Sequence, residues 1–411
     1  MPSDSILVGL DIGTTKVCAV VGEVNERGSV EILGVGATPS RGIRRGVVIN
    51  IEATMKAVLE AVEAAEMMSG RDIHNVITGI AGAQIEGINS RGVVAVTGRG
   101  REITREDIDR VIEAARAIVI PMDREVLHVI PQEYIVDDQG GIKNPLDMIG
   151  IRLEAEVHII TGSVTAAQNL LKCVNRAGFR VEDIVLQSLA SSMAVLSEDE
   201  KELGVLLIDL GGGTTDVLVH LDGAPYHTSV VAIGGEQVTS DLSIMLKTPM
   251  ESAERIKKEA GCCYEPLVDD EEKIIVPGVG GWPAAEIPRL ETTRIIQPRM
   301  TEIFQLVRDQ LSKKGYLPRL GGGVVLTGGG ALLKGAVDLA QEVFGLPARL
   351  GMPTDLGGLV KEYKNPSYST AAGLVLYGAE LLGLQEDRPL ASRKPKTGKS
   401  GKLRQWMKEF F

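Results

Sequence analysis

The sequence predicts an α/β fold built from two related halves. Three observations predict it. Short apolar strand runs alternate with amphipathic helical stretches along most of the 411 residues. A glycine turn, Ile208-Asp209-Leu210-Gly211-Gly212-Gly213-Thr214-Thr215-Asp216, sits between the strand runs 205–208 and 217–221. The same grammar recurs about 200 residues earlier in Asp11-Ile12-Gly13-Thr14-Thr15-Lys16: strand, Asp, apolar residue, Gly, Thr-Thr, strand. A repeat at that spacing points to two domains of one kind.

Glycines have no Cβ, so such a turn can fold back sharply and aim its N–H groups inward. The threonines add hydroxyl donors, and the flanking carboxylates are the oxygen ligands a phosphate-bound metal prefers. One such turn also reads as a bare glycine hairpin. Two in matching contexts read as a clamp that holds one phosphate chain from both sides.

The composition narrows the classes. With 44% hydrophobic residues the chain is ordinary for a globular protein. No apolar run reaches the ~18 residues of a membrane span. Met1-Pro2-Ser3-Asp4-Ser5 lacks the pattern of a signal peptide, so a cytosolic chain with Cys18, Cys173, Cys262 and Cys263 reduced is expected. A net charge of −11 argues against nucleic acid as a partner. That charge is uneven: residues 388–411 hold eight basic residues and one acidic, net +7, which leaves −18 on the rest.

In order, strands are expected at 6–11, 17–21, 30–39 and 42–49, a helix at 51–68 and a buried strand at 76–81. Residues 84–97 alternate like a strand pair. A charged helix at 103–120 and strands at 125–137 and 151–161 follow. This block, 84–162, has no glycine phosphate turn and reads as a module inserted into the first half. A helix at 164–177 and a strand at 181–186 lead to Gln187 and a small-residue helix at 188–196. The second glycine hairpin is followed by a third strand, 225–233. Gly234-Gly235 opens another helix, and 249–260 is a helix with Lys257 and Lys258. Two short strands (273–276, 285–288) and a long helix (294–313) come next. Strand 322–326 runs into Gly328-Gly329-Gly330, which opens a helix at 331–344. The helix at 369–382 is rich in Ala and Gly, so it should pack closely on a neighbour.

Residues 384–400 form a flexible basic linker rich in Pro, Lys, Arg and Ser. Beyond it Leu403, Trp406, Met407, Phe410 and Phe411 fall at i, i+3, i+4, i+7 and i+8, one face of a helix. Lys402, Arg404 and Lys408 lie off that face. Eleven residues make a helix about 16 Å long, too short to cross a bilayer. The segment suits an anionic membrane surface, apolar face down. A groove on a partner protein and docking on the chain's own core are the alternatives. The linker disfavours the second.

For the site, Gly13, Thr14, Thr15 and Lys16 are assigned to one side of the phosphates, and Gly211, Gly212, Gly213, Thr214 and Thr215 to the other. Gly234, Gly235, Gly328, Gly329 and Gly330 present bare backbone to a base and ribose. Lys257 either borders the base or is a solvated helix-face lysine. Asp11 and Asp209, equivalent in the repeat, would orient Mg²⁺ through waters, because that ion sheds its hydration shell reluctantly. Gln187 either positions a water at the terminal phosphate or makes a structural hydrogen bond.

At these residues the chain resembles the actin, Hsp70 and sugar-kinase ATPase superfamily, whose halves are ribonuclease-H-like. Residues 187–196 and 370–380 match its two connecting helices and 326–335 its adenosine loop. A finer resemblance is to the FtsA family of bacterial cell-division proteins. It rests on His128-Val129-Ile130-Pro131-Gln132-Glu133-Tyr134-Ile135-Val136-Asp137, on Arg45-Gly46-Val47-Val48-Ile49-Asn50-Ile51-Glu52, on Ile296-Gln297-Pro298-Arg299, on the block 84–162 and on the C-terminal helix.

The resemblance implies an actin-like fold with an inserted α+β subdomain and a C-terminal amphipathic helix. It divides the chain into a first half at 1–83 and 163–198, interrupted by the module 84–162. The second half is 199–240 and 296–350, with an outer subdomain at 241–295. Residues 351–383 close the fold, 384–400 are the linker and 401–411 the membrane-targeting helix. It implies ATP and Mg²⁺ as cofactors, at most weak ATPase activity, and actin-like protofilaments of the chain with itself. It further implies a tether between the FtsZ C-terminal tail, bound at the outer subdomain with Arg255 and Lys258 as candidates, and the cytoplasmic face of the cell membrane at the division site. Other division proteins would bind the 84–162 module. The alternatives are a small-molecule kinase of the same superfamily and a PilM-like pilus-assembly adaptor. An Hsp70-like chaperone is disfavoured, because the short basic tail cannot serve as a peptide-binding domain.

Overall fold

The two glycine turns occupy equivalent places in two sheets of one topology. The computed structural model describes residues 6–386 except 26, 27, 98, 270, 355, 359 and 360. The linker and the C-terminal helix expected at 401–411, with Lys402, Leu403, Arg404, Trp406, Met407, Lys408, Phe410 and Phe411, lie outside the described residues.

The first sheet runs Arg180–Leu186, Asn75–Ile80, Ile6–Ile12, Lys16–Val24, Val30–Pro39, with Leu356–Gly357 added at its edge. The second runs Ala348–Leu350, Val324–Thr327, Val205–Leu210, Thr215–Leu221, Ala224–Val231. In each, three consecutive strands are antiparallel, and the first of them pairs in parallel on its other side. The registers match at the turns: Asp11 faces Cys18, and Asp209 faces Asp216.

Burial explains these strands. Val205–Leu210 is buried at every residue, as a central strand covered on both faces must be. Helix Ile51–Ser69 covers the first sheet with Thr54, Ala57, Val58, Ala61, Val62 and Ala65, which recur at helical spacing. Asn50 caps its N-terminus by accepting the Ala53 N–H at 3.0 Å, and Gly70 ends it with φ 65°. Helix Arg289–Lys313 covers the second sheet with Ile296, Met300, Ile303, Phe304, Val307 and Leu311. Pro298 lies inside this helix. An interior proline costs about 3 kcal/mol, which the apolar burial around it outweighs.

Helices Gln187–Val195 and Ser369–Glu386 lie between the halves and cross very closely. A Cβ on Gly373 would sit 1.8 Å from the Ala190 carbonyl oxygen, so only glycine fits there. The core between the halves draws Val20 and Ile32 from the first, Leu207 and Leu218 from the second, and Ala371 and Val375 from the second helix. All four cysteines are buried and unpaired.

The inserted module is a sheet in the order Glu86–Ala95, Arg152–Ser163, Arg124–Val136, Gln139–Ile142, with helix Arg105–Arg116 packed on it. Thr104 and Asp107 form a capping box at that helix's start. Three expectations need correction here. Residues 84–97 form one strand, Glu86–Ala95, not a pair. Gly92 makes no turn; its missing Cβ lets the helix approach, since a Cβ would lie 2.3 Å from the Val111 carbonyl oxygen. The helix expected from 331 starts at Ala336, because Gly335 has φ 83° and cannot be helical; a 3₁₀ turn, Gly329–Leu332, precedes it. The strand expected at 42–49 is a two-stranded corner, Ile43–Arg44 with Val47–Val48, turned by Arg45 and Gly46 at positive φ.

The module also touches the second half. Gln132 Nε2 donates to the Pro225 carbonyl at 2.9 Å, and Asn89 Nδ2 to that of Tyr226 at 3.2 Å.

Candidate nucleotide site

Each hairpin closes on the same backbone bond. Gly13 N–H donates to the Lys16 carbonyl at 2.9 Å, and Gly211 N–H to the Thr214 carbonyl at 2.9 Å. The two tips face each other. A Cβ on Gly212 would lie 2.4 Å from Thr15 Cγ2, and one on Gly213 would lie 2.6 Å from Thr14 Oγ1. Thr14 Oγ1 also accepts the Gly46 N–H at 3.2 Å, which pins the 43–48 corner onto the first tip.

Behind the second tip, Gly235 and Glu236 donate their N–H groups to the carbonyls of Gly211 (2.9 Å) and Gly212 (2.8 Å). Helix Gly235–Leu246 thus starts against the loop. Lys257 Nζ reaches the Gly235 carbonyl at 2.9 Å and Thr239 Oγ1 at 2.8 Å, and pairs with Glu254 at 2.7 Å. It borders Gly235 and is not a solvated helix-face lysine. Gly330 lies beside Leu210 at the end of the strand that carries Asp209, and Gly328 lies beside Asp209 itself. The fold therefore gathers Gly211–Gly213, Gly234, Gly235, Lys257 and Gly328–Gly330 on one side. Gly13–Lys16, Asp11 and Gln187 face them from the other.

Thr215 is the exception. Its side chain is fully buried and its hydroxyl donates to the Ile233 carbonyl at 2.8 Å. Strand alternation turns it into the sheet, so it supports the hairpin and offers no hydroxyl to the cleft. Thr214 Oγ1 donates to Asp216 Oδ2 at 2.9 Å. Lys16 Nζ donates to the Ser367 carbonyl at 2.6 Å and lies 3.6 Å over the Tyr368 ring.

Gln187 Nε2 donates to Asp11 Oδ1 at 2.9 Å, and Gly79 leaves space for the Gln187 side chain. Asp209 Oδ2 accepts from Ser191 Oγ at 2.7 Å. Asp216, the second carboxylate flanking the turn, belongs here too, although only Asp11 and Asp209 are assigned to Mg²⁺ from sequence. It pairs in register with Asp209, and its Oδ1 is buried without a hydrogen-bond partner. Burial pushes Asp11 up to about 7, against the pull of Lys16, with the Asp209 charge adding to the rise. Burial likewise pushes Asp216 up to about 7, aided by the charges of Asp209 and Asp11. Three carboxylates thus share one cleft edge with one lysine.

This surplus of negative charge, with an orphaned carboxylate oxygen, fits a divalent cation. Among the described residues no group of three His, Cys, Asp or Glu side chains is arranged to ligate a metal directly.

Comparison with known proteins decides the family. The chain is 50% identical over 412 residues to Cell division protein FtsA of Borreliella burgdorferi, covering 100% of both chains. It is 42% identical to the Escherichia coli K12 protein of the same name, over 91% of this chain and 90% of that one.

The chain belongs to the FtsA family.

The family model for Cell division protein FtsA matches residues 206–373, and that for the SHS2 domain inserted in FtsA matches residues 82–161. Solved structures confirm the actin-like fold of this FtsA-family chain. A type IV pilus PilM–PilN complex superposes with a TM-score of 0.64 at 18% identity, over 91% of this chain and 98% of that one. MreB5 of Spiroplasma citri, solved with ADP, gives 0.58 at 14% identity, over 94% and 100%. At these identities the structures show shared architecture; it is the FtsA sequences that place the chain among cell-division proteins. No described helix is long and apolar enough to cross a membrane.

Proposed function

We propose that this FtsA-family chain binds ATP with Mg²⁺ in the double-hairpin clamp, assembles into actin-like protofilaments, and tethers FtsZ to the cytoplasmic face of the membrane at the division site. The observation that carries the nucleotide part is the contact between the two glycine tips, each a turn that can present bare backbone to a phosphate chain. Gly13, Thr14, Thr15 and Lys16 hold it from one half, and Gly211–Gly213 with Thr214 from the other. Gly234, Gly235, Lys257 and Gly328–Gly330 border the nucleoside. Asp11, Asp209 and Asp216 hold the hydrated cation, which screens phosphate charge when bound. Gln187, whose amide donates to Asp11, orients a water at the terminal phosphate.

Two features support the tether. Ile244, Met245, Met250 and Trp282 are exposed on the outer part of the second half, where Thr248 Oγ1 joins the helix pair to the Pro277 carbonyl at 2.7 Å. Exposed apolar residues on one subdomain suit a partner peptide, and Arg255, on the helix that Met250 begins, is exposed as well. The second feature is the amphipathic face of residues 401–411.

Co-sedimentation with anionic liposomes tests the membrane part. Deleting 401–411 should abolish binding, and Trp406→Glu should reduce it more than about tenfold, because it puts a charge in the apolar face. Undiminished binding by either variant contradicts the anchor.

A further inference from the structure

The carboxylate of Asp209 is held from outside its own sheet. Ser191 Oγ, on helix Gln187–Val195, donates to Asp209 Oδ2 at 2.7 Å. Thr370 Oγ1, in the first turn of helix Ser369–Glu386, lies 3.0 Å from Ser191 Oγ and 3.4 Å from the same carboxylate oxygen. An ionised carboxylate only accepts, so the single proton of Ser191 goes to Asp209. Ser191 must then accept in the 3.0 Å contact, and Thr370 donates. The result is a one-way chain, Thr370 to Ser191 to Asp209, with all three residues buried. On its other side Asp209 Oδ1 abuts Gly328, where a Cβ would come within 2.3 Å.

This chain runs through the crossing of the two helices between the halves. Gly373, one turn after Thr370, meets the carbonyl of Ala190, the neighbour of Ser191. The backbone of the second helix also lies against the first sheet, where a Cβ on Gly9 would sit 2.2 Å from the Ala371 carbonyl oxygen. A turn of one half against the other therefore shears this crossing, and the hydroxyl pair spans it. No other hydrogen bond joins Asp209 to a side chain among those described.

We infer that Ser191 and Thr370 are positioning residues that make cation-assisted nucleotide binding at Asp209 depend on how the two helices cross. The inference rests on the ATP and Mg²⁺ reading above. Residues behind a metal's ligands or its water-bridged carboxylates orient them, and removing such partners typically weakens cation binding 10- to 100-fold.

The test is an equilibrium titration of the full chain with ATP, once with Mg²⁺ and once with EDTA. Thr370→Val keeps the side-chain shape and removes the donor. It should weaken binding about tenfold with Mg²⁺ and less than about twofold in EDTA. Thr370→Ser should restore the Mg²⁺ arm. Ser191→Ala should act in the same sense, and adding Thr370→Val to it should cost less than the two single losses combined, because Thr370 still reaches Asp209 directly at 3.4 Å but no longer through Ser191. Thermal unfolding of each nucleotide-free variant identifies any that fails to fold, and the Ser191→Ala comparison then stands alone. Equal losses in both arms, or none, overturn the inference. A wild-type chain whose ATP affinity ignores Mg²⁺ overturns the cation reading itself, and the inference with it.

Discussion

Gly212→Asp should lose ATP binding by on the order of 100- to 1,000-fold while the chain stays folded. The three atoms nearest the new Cβ all belong to the exposed Thr15 side chain, the closest being its Cγ2 at 2.4 Å, and that side chain can rotate away. The fold therefore survives. The clamp does not, because a carboxylate now projects between the tips toward the phosphates. Two like charges about 4 Å apart repel by roughly 4 kcal/mol at an effective dielectric of 20. The edge already carries Asp11, Asp209 and Asp216, with Lys16 as the counter-charge, so little remains to offset a fourth carboxylate. Titration with a fluorescent ATP analogue measures the loss, and the thermal midpoint of the nucleotide-free protein checks the fold. Unchanged affinity in a folded variant means the second hairpin does not touch the phosphates.

Gly373→Ala should destabilise the chain by about 2 kcal/mol or more. The sign runs against helix propensity, which favours alanine over an interior glycine by about 1 kcal/mol. Here the added methyl would stand 1.8 Å from the Ala190 carbonyl oxygen and 2.3 Å from its carbon. Those atoms are backbone in the middle of a helix, so they cannot swing aside. The two helices must separate, and the core between the halves opens with them. Calorimetry or denaturant unfolding reads the effect directly. An alanine variant as stable as the wild type, or more so, means that the helices cross farther apart than described. The same substitution should disturb nucleotide binding, since the Thr370–Ser191–Asp209 chain passes through this crossing.

Both hairpins were legible in the sequence because their chemistry is local. Asp, Gly and Thr lie within nine contiguous residues, and the repeat at Asp11–Lys16 supplies the second copy. The order of the strands around them follows from the same repeat. Other features depend on what the chain meets after folding. Ser191 and Thr370 sit in helices of small residues, and a hydroxyl there has no periodic signal to mark it. Residues 84–97 read as a strand pair, and nothing local marks Gly92 as the point where a helix from elsewhere in the module approaches. Thr215 belongs to the glycine motif, yet strand alternation turns its hydroxyl to the Ile233 carbonyl. Asp216 is marked in the sequence as a carboxylate flanking the turn, but the repeat singles out only Asp11 and Asp209. Its importance comes from register opposite Asp209 and from the burial of its free oxygen.

The central claim is that two halves close on one phosphate chain from opposite sides. Hydrogen exchange on the full chain, with and without ATP and Mg²⁺, tests it most directly. ATP should slow exchange at Gly13–Lys16 and at Gly211–Thr214 together, with slowing also at Gly328–Gly330. Slowing at one hairpin alone, with the other unchanged at saturating ATP, would contradict a two-sided clamp.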